Sequence, residues 1–282
     1  MIRGRERIYA VPVRWTARHL QLLNCQFFHV LPRDGDDFPA LSLPIDFADE
    51  AFLKRLTDSL RVGPLPPGTE HWNGALLKNK ENPDYPFRFG FNADRITIPM
   101  KAVDCLFTAD PRGGTPILAY LNFNAIGKHR KETIGYPGNK RCTNPICDRI
   151  YQAKLCQYTP ENKAEDPYIA AVLIALAQQK RIHEVTEAKN HDGKWAAILD
   201  IVEREYTVHV LAVQPDVPDD SGANRQLPEG VYLYTATIPG NFLSRLNAPN
   251  HLFPSNLGFH ISYYRLWKIS DEPDSAWYTD SE

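Results

Sequence analysis

The sequence predicts a mixed α+β protein: a central β-sheet with a buried helix packed across it. Three observations carry that prediction. The run DPYIAAVLIALAQQ, 166–179, is apolar around most of a helix girth, the pattern of a helix with no solvent face. The stretches YTVHVLAV (206–213), VYLYTATIP (231–239) and FHISYYRLWKI (259–269) are rich in β-branched and aromatic residues at strand length. A short helix pattern, GNFLSRLN (240–247), sits between the second and third strands. The order from about 165 to 269 is therefore helix, strand, strand, helix, strand.

The earlier elements follow from weaker signals. WTARHLQLLNC, 15–25, predicts a helix with Thr16 as its cap. DFADEAFLKRLTDSLR, 46–61, predicts another, because Phe47, Ala51, Leu56 and Leu60 recur near the helical period and acids crowd its first turn. GPLPPGTEHWNG (63–74) and KNKENPDYP (78–86) read as loops. FRFGFNADRITIP (87–99) reads as a strand or hairpin, and PILAYLNFNAIG (116–127) as a strand. HRKETIGYPGNKRCTNPIC (129–147) reads as a polar, basic, turn-rich segment. KWAAILDIVERE (194–205) reads as a short helix and PDVPDDSGANRQLPEG (215–230) as a polar loop. No linker shows a shift in composition. The chain is expected to form one domain over 1–282, its N-terminal half (about 11–125) wrapping the C-terminal core, with an acidic tail at 270–282.

Composition excludes several classes. A formal net charge of -2 supplies no global basic field for nucleic acid or an anionic membrane. No apolar run approaches the roughly 18 residues that span a bilayer. The start, MIRGRERIYAVPVRW, has no apolar signal core, so no secretory leader is expected. Five cysteines in a chain of 282 residues then suggest reduced thiols and an intracellular protein of cytoplasm or nucleus.

Several residues are candidates for chemistry. Asp166 precedes Pro167, the preferred pairing of cap and first helical residue, so it needs no catalytic role. His183, Glu187 and His191 share helical spacing, but HEVTE lacks the second histidine of a zinc-protease helix. They read as a solvated end with an i,i+4 pair. Cys142, Cys147 and Cys156 with His129 form the one possible structural zinc set, at spacing wider than CxxC. Lys128, Arg130, Lys131, Lys140 and Arg141 make the best local anion-contact segment. His209, Tyr232, Tyr234 and His260 lie mid-strand and are candidates to line one side of a ligand pocket. There is no phosphate loop, dinucleotide fingerprint or nucleophile elbow.

The αββαβ order resembles, distantly, the core of restriction-endonuclease-like, or PD-(D/E)XK, nucleases. That family places an Asp after one core strand and Glu-x-Lys on the next, to hold Mg²⁺ and stabilise the attacking hydroxide. Here Asp216 comes late after the first strand, and Tyr234-Thr235-Ala236 stands where Glu-x-Lys belongs. The resemblance thus implies a degenerate core without catalysis. Separately, DPYIAAVLIALAQ, VHVLAV, LYTATIP and FHISYYRL resemble a group of uncharacterised proteins from filamentous fungi. That likeness implies a fungal, intracellular protein encoded near secondary-metabolite genes, and it brings no catalytic residues.

Three functions are consistent with these features. The first is a non-catalytic binding or regulatory protein whose partner is a protein or small molecule. The second is an enzyme or accessory factor acting on a small molecule in secondary metabolism. The third is a metal-dependent nuclease with relocated ligands.

Overall fold

The structure, a computed structural model, describes residues 10–31, 75–78, 87–91, 96–108, 115–135, 145–190, 203–214, 230–248 and 257–267. Among them are nine strands: β1 (Cys25–His29), β2 (Ala75–Lys78), β3 (Arg88–Phe91), β4 (Ile96–Pro99), β5 (Val103–Thr108), β6 (Pro116–Asn122), β7 (Glu205–Gln214), β8 (Gly230–Pro239) and β9 (Phe259–Trp267). The helices are α1 (Ala17–Leu23), α2 (Phe123–Ile134), α3 (Pro145–Tyr158), α4 (Pro167–Asn190) and α5 (Gly240–Asn247). Single tight helical turns lie at Pro12–Arg14 and Lys163–Glu165.

The fold is α+β, as the sequence predicts. Seven strands form one mixed sheet in the order β1-β9-β8-β7-β6-β5-β2. The pairs β1/β9 and β6/β7 are parallel, and the rest are antiparallel. The three C-terminal strands expected at the centre are there. The strand β6, which the N-terminal half is expected to add, lies inside the sheet between β5 and β7. The 87–99 segment is a hairpin, β3/β4, forming its own two-stranded sheet.

Helix α4 crosses one face of the large sheet. Every residue from Asp166 to Gln178 is buried, which explains why its first half has no polar stripe. It packs on Val208, Val210, Ala212, Ala119, Leu121, Ala236 and Ile261 in one core that also takes in Val13, Trp15, Phe89 and Phe242. Small residues at Ala170, Ala171, Ala175 and Ala177 let the helix sit close to the strands. The opposite face is buried too, at Leu118, Leu211 and Leu233. That two-sided burial is why these strands read as unbroken apolar runs and not as alternating ones.

Two expectations are corrected. The residues 116–127 are not one strand: β6 ends at Asn122, whose side chain accepts the Asn124 N–H at 2.7 Å and starts α2. The turn-rich reading of 129–147 fails at its two ends, since α2 runs to Ile134 and stops at Gly135 with φ 74 and α3 begins at Pro145; 136–144 lie outside the described residues. The expected helices over 46–61 and 194–205, the loops, His191 and the acidic tail lie wholly or largely outside the described residues.

At the other edge, α1 ends on Asn24, the one non-glycine residue with positive φ among the described residues. Thr16 caps its start, and the Thr16 N–H donates to His19 Nδ1 at 3.0 Å. Gly258 abuts Asn24 so closely that a Cβ there would collide with the Asn24 carbonyl. This close approach allows β1 to lie beside β9.

Candidate functional site

Among the described residues, a buried ion pair and two tyrosine hydroxyls meet at the N-terminal end of α4. Asp166 caps the helix: its Oδ1 accepts the Tyr168 N–H at 2.9 Å. Both of its oxygens also accept from Arg130 Nη2 at 2.9 Å, and Arg130 Nε donates to Val13 O at 3.1 Å. The side chains are 3% and 4% exposed. Burial raises the Asp166 carboxyl above its ordinary value, and the Arg130 charge and the Tyr168 N–H oppose that rise. One guanidinium thus ties α2, the Pro12–Arg14 turn and the start of α4 together.

Next to this pair, Tyr234 Oη donates to Ala164 O at 2.8 Å, and Tyr263 Oη donates to Glu165 Oε1 at 3.1 Å. The two rings stack at 5.5 Å. Phe27 meets both edge-on, and the His29 ring stacks on Tyr263 at 4.8 Å. Burial, then the Glu165 charge, pushes the Tyr263 hydroxyl up to about 12, so it acts as a donor and not as a base. Burial drives Tyr234 well above the ordinary phenol value.

The sequence-predicted pocket residues are not brought together. Register places His209 opposite Thr235 and Tyr234 opposite Val210. Side chains alternate across a sheet, so Tyr232 and Tyr234 point to the α4 face while His209 points to the other. His260 pairs with Gln26 and shares the face of His209, but one whole strand, β8, lies between their strands β9 and β7. Tyr232 meets Phe123 edge-on in the core, and His260 meets Phe28.

His209 Nδ1 lies 3.0 Å from Thr235 Oγ1, the separation of a nucleophile and its base. The imidazole is unsuited to that role. Burial, then the Lys180 charge, lowers it to about 4, and no carboxylate among the described residues is seen bonding it. The contact is a cross-strand polar pair.

The basic segment also divides. Arg130 is spent on Asp166 and is closed to an outside anion, while Lys128 and Lys131 are exposed on α2. Lys140, Arg141 and Cys142 lie outside the described residues. The remaining zinc candidates do not converge. Cys147 and Cys156 are nine residues apart on α3, hence on opposite faces and about 13 Å apart along the axis. His129 is half-buried, its ring edge-on to Tyr168 at 6.3 Å and its Nδ1 facing Thr133 Oγ1. Burial, then the Lys101 charge, lowers its pKa. Among the described residues no group of three His, Cys, Asp or Glu is placed to hold a metal ion. His183 and Glu187 do form the expected i,i+4 pair, at 3.1 Å.

The sequence reading passed over Gln178 and misread Arg130. Gln178 Oε1 accepts from Gly90 N at 3.0 Å and its Nε2 donates to Gly90 O at 2.8 Å, which fastens β3 to α4 as a strand would. The signal for Arg130 was present: it falls on the buried face of α2 with Phe123 and Ile126, where a solvated cation would not sit.

Comparison with protein-family models, with curated proteins and with solved structures finds no match to this chain. No helix among the described residues is long and apolar enough to cross a membrane.

Proposed function

We propose that this chain is a non-catalytic binding or regulatory protein acting inside the cell, in cytoplasm or nucleus, on a protein or small-molecule partner. One observation carries the reading. The acid at the start of α4 and the arginine nearest to it, which a nuclease-like site would leave open to substrate, close on each other inside the core. The other candidate groups are engaged too, His209 with Thr235 and Tyr234 with a backbone carbonyl. Free thiols at Cys25 and Cys156 agree with a reducing compartment.

A second reading, an enzyme or accessory factor acting on a small molecule, has its own support. Exposed His29 and half-exposed Glu165 flank Tyr263 and present hydrogen-bonding groups at the surface.

Native mass spectrometry of the protein purified from its own host separates the two. The binding reading expects a protein or small-molecule partner retained at fixed stoichiometry and released unchanged, and no nicking of plasmid by the purified chain with Mg²⁺ or Mn²⁺. A retained small molecule that the purified chain converts to a product of different mass would replace it with the second reading. Metal-dependent nicking that copurifies with the chain through every column would replace it with a nuclease.

A further inference from the structure

We draw no further inference here: the strongest candidate, the side-chain cluster at the β1 edge of the sheet where the exposed His29 ring stacks on Tyr263 and the half-exposed Glu165 accepts from the Tyr263 hydroxyl and from Asn162 Nδ2, belongs to the site already described, and nothing in the structure shows what covers it.

Discussion

The two ends of α4 carry similar residue types in opposite surroundings. At the N-terminal end an acid meets an arginine, with both side chains under 5% exposed. At the C-terminal end His183 meets Glu187 with side chains 43% and 60% exposed, and Glu184 meets Arg204 nearby. The distances are alike, 2.9 Å against 3.1 Å. The difference is water. At the buried end each charge depends on its partner, because nothing else solvates it. At the exposed end water stabilises the separated groups almost as well as the pair. Side-chain pairs of similar length thus anchor one end of the helix and merely decorate the other.

The largest effect that tests this contrast is at Arg130. Arg130→Met leaves Asp166 buried without a cation and is expected to destabilise the fold by about 3–5 kcal/mol. Urea unfolding reads this directly, and a thermal melt should fall by roughly 10 °C. Arg130→Met combined with Asp166→Asn should recover part of the loss. The amide keeps an oxygen for the Tyr168 N–H and removes the stranded charge. A single variant that costs under about 1 kcal/mol would mean that the pair anchors nothing, and the contrast would collapse.

A smaller effect comes from the face of the sheet away from α4, at His209. Folded His209 stays neutral down to about pH 4, whereas an ordinary imidazole protonates near 6.5. Between those values the unfolded chain holds more protons, so stability falls as the solution is acidified. The loss from this group grows from pH 6.5 downward and levels off below about pH 4, at no more than about 3 kcal/mol. His209→Gln retains a partner for Thr235 and has no such titration. The stability difference between wild type and variant should therefore narrow in favour of the variant across that window. Parallel pH profiles from pH 7 to 4 would show that the imidazole is not desolvated in solution.

How much of this was legible in the sequence depends on how local each cause was. β7, β8, β9, α4 and α5 were readable because each announces itself within its own residues. β1 was hidden because it follows α1 after a single left-handed residue, Asn24, with no turn motif between them. The start of α2 was hidden for a like reason: the switch from strand to helix is made by one side chain, Asn122. Asp166 was legible as a cap, but its second role required Arg130, 36 residues away and on another helix. The split between His209 and the two tyrosines was illegible in principle. Tyr232 and Tyr234 share a face by their own spacing, but only the register of β7 on β8 decides which face His209 takes.

The smallest effect completes the contrast at the exposed end of α4. Glu187→Gln removes the carboxylate from a pair one turn apart on a solvated helix surface. Such pairs contribute about 0.3–0.5 kcal/mol, and salt screens them. The expected loss is at that level in dilute buffer and vanishes in about 1 M salt, where the screening length falls to about 3 Å. Arg130→Met should cost nearly the same at both salt concentrations, because ions do not enter the core. Urea melts of the two variants at low and high salt therefore test burial itself. If Glu187→Gln cost as much as Arg130→Met, or if salt erased the Arg130 effect, desolvation would not be what distinguishes the two ends.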